Sequence, residues 1–158
     1  MNGRDRNGYA ADFPIDQQAS DGRSLTFTSV PLEASLTLLG QPEVTLPLSV
    51  DRPNALIAIR LCDVAPSGGS TLVTYGLLNL THRDNHEHPT AVQPGQRYEV
   101  QLSLNMAGHR FLTGHRLRLA LAPNYWPHAW PSPETVQLQL YTGAASHLRL
   151  PKRPCAPA

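Results

Sequence analysis

The 158 residues carry 13 Lys and Arg against 12 Asp and Glu, a formal net charge of +1, and 41% of them are hydrophobic. A chain of this length fits one domain that buries about 70% of its unfolded surface, so no disulfide framework or metal is required to hold a core. No basic stripe or interleaving of basic and aromatic residues is present to neutralise phosphates, which excludes nucleic acid as an expected partner.

Residues 1–20 read as a polar extension or linker. Their early arginines lack a following apolar run, so they form neither a secretory signal nor a membrane anchor, and a cytoplasmic location without membrane contact is the expectation. From residue 21 to 150 the apolar period is two. Val44, Leu46, Leu48 and Val50 alternate with Thr45, Pro47 and Ser49; then come Ile57, Ile59 and Leu61; Tyr98, Val100, Leu102 and Leu104; Leu117, Leu119 and Leu121; and Val136, Leu138 and Leu140. Each run predicts a half-buried strand. Pro47, lacking an N–H, predicts an edge position or a bulge in its strand. Turns fall at Gly40-Gln41-Pro42, Arg52-Pro53-Asn54, Pro66-Ser67-Gly68-Gly69 and Pro94-Gly95, where fixed or positive φ is needed. Fifteen prolines and eleven glycines lie mostly between the runs, and no segment has a helical period. Eight or nine short strands predict an all-β, two-sheet sandwich, its core including Leu46, Ile59, Leu102, Leu119 and Leu138. Residues 151–158 form a Pro-rich tail. Cys62 in a strand and Cys155 in that tail make no disulfide framework, and both are expected to stay reduced.

No Gly-x-Ser-x-Gly elbow occurs. Ser70 comes nearest, but it lacks the second glycine and precedes a strand, so it reads as a turn serine. His82, Asp84, His86, Glu87 and His88 form the densest set of potential ligands. In an extended segment His86 and His88 share a face, and with His109 or His115 they would outline a metal site; the glutamate such barrels place after the second histidine is missing from Pro89 to Gln93. The preferred reading is a long loop, Asn79 to Pro89, whose polar side chains satisfy its own backbone. No catalytic, cofactor-binding or metal-ligating residue is assigned. Arg116 and Arg118 alternate with Leu117 and Leu119 and read as a solvated face beside Arg110; His109 and His115 read as satisfied loop histidines. Tyr125, Trp126, His128 and Trp130 lie among Pro123, Pro127, Pro131 and Pro133. Such a loop cannot pair as a central strand, yet both tryptophans sit on it, so it is a lid over the core, a docking surface or a sugar-stacking platform. His82, Asp84, His86, His88, Tyr125, Trp126, His128 and Trp130 are therefore the candidate interface or ligand surface.

Several segments follow one another in a characteristic order: Ser24 to Leu32 (SLTFTSVPL), Leu39-Gly40, Arg60 to Pro66 (RLCDVAP), Thr71 to His88 (TLVTYGLLNLTHRDNHEH), Gly108 to Leu121 (GHRFLTGHRLRLAL) and Tyr125 to Pro133 (YWPHAWPSP). Together they resemble the C-terminal β-sandwich domain of the X-Pro dipeptidyl-peptidase and cocaine-esterase family of serine hydrolases. The resemblance implies a jelly-roll sandwich of the galactose-binding-domain-like kind. It implies a non-catalytic domain that packs on an α/β-hydrolase catalytic domain missing from this chain and helps shape its substrate pocket, the Ser-His-Asp triad lying on that partner. A homodimer through the tryptophan loop is a further expectation, and the chain alone is expected to hydrolyse nothing. The alternatives are an independent carbohydrate-binding jelly-roll module and a small metalloenzyme centred on His86 and His88.

Overall fold

The computed structural model describes residues 16–153. A single helical turn, α1 (Gln18–Asp21), is followed by ten strands: β1 (Leu25–Thr28), β2 (Leu36–Gly40), β3 (Glu43–Val50), β4 (Leu56–Val64), β5 (Ser70–Asn79), β6 (Tyr98–Ser103), β7 (Ala107–Phe111), β8 (Arg116–Ala122), β9 (Leu138–Leu140) and β10 (His147–Arg149). All pairings are antiparallel. One sheet runs β1-β8-β4-β5, the other β10-β3-β6 with β9 also on β3, and β2 and β7 form a separate ribbon. The chain is thus the all-β sandwich expected. Among the described residues no helix is long and apolar enough to cross a membrane.

Period-two alternation explains the core. Val100 and Leu102 of β6 are buried between exposed Glu99, Gln101 and Ser103, and they meet Ile57, Ile59 and Leu61 of β4 in one cluster. Leu46 belongs to that cluster, while Leu119 and Leu138 are partly buried against it. The ribbon adds Leu38 and Phe111, both fully buried. A cleft of about 480 Å³ enters between the sheets along Phe27, Leu46, Leu119 and Leu148. Because Leu119 lines that cleft, its truncation opens less new void than truncation of an enclosed leucine. Leu119→Ala should cost about 2 kcal/mol in urea unfolding, the low end for a core leucine; a change under ~0.5 kcal/mol would remove Leu119 from the core.

Pro47 does not lie on an edge. Its strand β3 pairs with β6 on one side, Pro47 opposite Glu99. On the other side β10 pairs with Glu43 to Thr45 and β9 with Leu48 to Val50. The missing N–H therefore falls at the seam between two short neighbours, where no ladder bond is required, and the Pro47 carbonyl still accepts from Tyr141 N at 3.0 Å.

The two sheets approach closely at Gly76 of β5. A Cβ there would stand 2.9 Å from Leu104 Cδ2 and 3.0 Å from Ser103 O, so only glycine fits. Beside it Asn105 N donates to Tyr75 O at 2.8 Å, and Thr74 Oγ1 donates to Asn105 O at 2.7 Å.

β4 is buried on both faces rather than half-buried, its outer face being covered by other segments. The described part of the N-terminal extension docks there, Gln17 N donating to Ser70 O at 2.8 Å. At the other terminus Leu39 N donates to Pro151 O at 3.1 Å and Arg153 N to Thr37 O at 3.0 Å. Cys62 is a free, buried thiol; Cys155 lies outside the described residues.

Candidate functional site

The outer face of β4 carries a buried charged cluster. Arg60 is 3% exposed in its side chain and Asp21 4%, and they pair at 3.3 Å. Arg60 Nη1 donates to Gln17 Oε1 and its Nη2 to Ser24 Oγ at 2.8 Å. Asp21 Oδ2 in turn accepts from Ser70 Oγ at 2.6 Å and from Arg118 Nη1 at 3.1 Å. Burying an ion pair is tolerable only when its remaining donors and acceptors are met in this way. The cluster corrects two expectations. Ser70 is not a turn serine but the buried first residue of β5, and Arg118, unlike the exposed Arg116, leaves the solvated face to serve Asp21. Burial, and after it the Asp21 carboxylate, pushes the neighbouring Cys62 thiol up to about 11, so it stays protonated and unreactive at neutral pH.

The Pro-rich loop after β8 lies on the same face. Tyr125 packs edge-on against Tyr75 with ring centroids 5.5 Å apart and lies 4.9 Å from the His128 ring. The Arg60 guanidinium stands 5.5 Å over the Tyr125 ring, and burial pushes the Tyr125 phenol up to about 12. This half of the loop is a cover over the sheet. The other half is not: Trp126 is 60% exposed and Trp130 80%, and they meet edge to face at 5.1 Å. Trp130 also lines a hollow of about 260 Å³ with Asn54, Asn79 and Ser132.

Asn79 ends β5, and the histidine loop leaves from it. The loop holds itself together as its composition implied. Asn79 Oδ1 accepts from Thr81 N at 3.1 Å, Arg83 Nη1 donates to Leu80 O at 3.0 Å and to Thr90 O at 2.9 Å, and Asn85 Oδ1 accepts from Glu87 N at 2.7 Å. Asp84, His86 and His88 are exposed. His82 is partly buried, and its ring lies against His86 at 5.5 Å. The two loops are therefore neighbours, since Trp130 and the base of the histidine loop share the hollow at Asn79.

His109 and His115 are satisfied as expected, although His109 lies on β7 rather than in a loop. Asp63, buried at the end of β4, accepts from His109 Nε2 and from His115 Nδ1, each at 2.8 Å. An ionised carboxylate can only accept, so both rings hold their protons on these nitrogens. Ser70 bonds to Asp21 rather than to either imidazole, so Asp63, His109 and His115 form no nucleophile, base and orienting acid with it. Nor do three or more His, Cys, Asp or Glu among them converge to hold a metal. Asp63, Arg60 and Asp21 escaped the sequence reading; their one signal is a charge inside an otherwise apolar strand, at Arg60 and Asp63 in IAIRLCDV.

The family model described as X-Pro dipeptidyl-peptidase C-terminal non-catalytic domain matches residues 5–154. A Mycobacterium bovis protein named as a serine esterase is 28% identical over 124 residues, which cover 68% of this chain and 20% of that protein. The cocaine esterase of a Rhodococcus species is 24% identical over 116 residues, 72% of this chain and 20% of the esterase. Among solved structures, an α-amino acid ester hydrolase superposes with a TM-score of 0.85 at 24% identity, over 94% of this chain and 29% of the hydrolase. At that identity the superposition speaks for the fold. The chain spans less than a third of each of these larger proteins.

Proposed function

The chain belongs to the X-Pro dipeptidyl-peptidase C-terminal non-catalytic domain family, and we propose that it packs on an α/β-hydrolase catalytic domain through the face bearing Trp126 and Trp130, helping to shape that enzyme's substrate pocket. The observation that carries this reading is the pair of exposed tryptophans, 60% and 80% accessible, on a loop otherwise fastened to the sheet. Each indole can bury about 150–250 Å², and a rigid, exposed aromatic pair is the kind of anchor around which interfaces concentrate their binding energy. The Tyr125 and His128 rings beneath hold the anchor in place. His82, Asp84, His86 and His88, on the loop that leaves from Asn79 beside Trp130, are assigned to its polar rim. The larger size of the relatives supports the partner: a protein of which this chain is 20% has room for a catalytic domain.

Coexpressed with an α/β-hydrolase domain from its own genome, the chain should co-purify with it. Trp126→Ala and Trp130→Ala should each weaken the complex by about tenfold or more, while leaving the sandwich's melting temperature unchanged because both side chains face outward. Without such a partner the same face is expected to draw two copies together at high concentration. Equal affinity of the wild type and both variants would remove this face from the interface.

A further inference from the structure

We propose that His82 and His86 form a two-imidazole site for a divalent first-row transition ion of the Zn²⁺ class, completed by water. His82 Nδ1 is buried and has no hydrogen-bond partner among the described residues. A buried polar nitrogen is nearly always paired, and an orphaned one calls for a ligand that the protein does not itself supply. The His82 and His86 rings lie 5.5 Å apart, centroid to centroid, at an interplanar angle of 35°. Two imidazoles bound to one tetrahedral ion through bonds of about 2.0–2.1 Å hold their centroids roughly 5 Å apart, so the rings already stand near the required separation.

The backbone around them is fixed before any ion arrives. His82 closes the 3-10 turn Leu80–His82, which the Asn79 side chain caps. The loop's two ends are tied by Thr90 N donating to Thr81 O at 2.8 Å and by Arg83 bridging Leu80 O and Thr90 O. His86 is carried on the turn that Asn85 stabilises. Arg83, next to His82 in sequence, lies over the Tyr98 ring at 4.3 Å and is offset by Asp84 at 3.2 Å. Neutral imidazoles without thiolate select zinc, copper or nickel rather than calcium or magnesium.

The proposal is independent of docking, because its readout is ion binding by the chain alone. Titrated with ZnCl₂ in a calorimeter, the full chain should take up one saturable equivalent, with the His82 and His86 imidazole resonances shifting first. Loss of a direct ligand should cost at least the roughly 10–100-fold that loss of a supporting partner costs, so His86→Ala should weaken binding by that much. His88→Ala should leave it unchanged. His86 is exposed and its replacement does not threaten folding. No saturable uptake of Zn²⁺, binding that survives His86→Ala, or binding abolished instead by His88→Ala or His109→Ala would each overturn the site.

Discussion

Arg60→Ala should destabilise the domain by about 3–5 kcal/mol, the cost of stranding one partner of a buried ion pair. The substitution leaves the Asp21 carboxylate, 4% exposed in its side chain, without the guanidinium at 3.3 Å. Arg118 at 3.1 Å remains as partial compensation. Gln17 Oε1 and Ser24 Oγ lose their donor as well, and Tyr125 loses the cation over its ring. Against a total stability of about 5–15 kcal/mol this is a large fraction. Replacing both charges at once, by Arg60→Met with Asp21→Asn, removes the stranded carboxylate and should recover much of the loss. Urea unfolding of the single and double variants measures both effects. A cost below ~1 kcal/mol for Arg60→Ala would mean that water reaches the cluster and that the docked N-terminal segment is not its cover.

Phe111→Ala should cost about 3–5 kcal/mol, the range for emptying a buried phenylalanine site. Phe111 is fully buried, ends the β7 strand opposite Leu36, and lies edge-on to the His109 ring at 4.7 Å. The variant loses the transfer energy of the ring and leaves a cavity where the two-stranded ribbon meets the sandwich. It also removes the wall against which His109 is held toward Asp63. The urea midpoint should fall, and exchange of the β2 and β7 amides should quicken ahead of the rest if the ribbon opens separately. An unchanged midpoint would place the ribbon outside the cooperative core.

Strands whose inner face is apolar were the readable part of this chain. Val44 to Val50, Tyr98 to Leu104 and Leu117 to Leu121 alternate in sequence because their inner face meets the other sheet, and the core residues expected from them are found in or against one cluster; of the three, only Tyr98 to Ser103 also alternates in burial. Alternation is blind to a second cover. Arg60 and Cys62 look outward-facing by period, and only the docking of residues 17–24 and the Tyr125 loop makes that face an interior. The β7 strand was also silent, since in Ala-Gly-His-Arg-Phe only the last residue is fully buried and the strand pairs with a single neighbour. The histidine loop's self-bonding could be read from its Asn and Asp content because such bonds are local. The bonds from His109 and His115 to Asp63 could not, because they join residues 46 and 52 positions apart. The split within the aromatic loop, Tyr125 inward and the tryptophans outward, depends on where Tyr75 and Arg60 stand across the sheet, which no local pattern encodes.

The cluster on the outer face also fixes a sequence of events. Asp21 is joined to Ser70 across 49 residues and to Arg118 across 97, and Leu25 of β1 pairs with Leu121. Loops of that size close slowly, and folding slows as the mean separation of contacting residues grows. On the ribosome, therefore, β1 is made long before the strand it pairs with. Until Leu121 has emerged, Leu25-Thr26-Phe27-Thr28 is an uncharged strand with both edges open, and that interval is when the nascent chain is most exposed to wrong pairing and most in need of a chaperone.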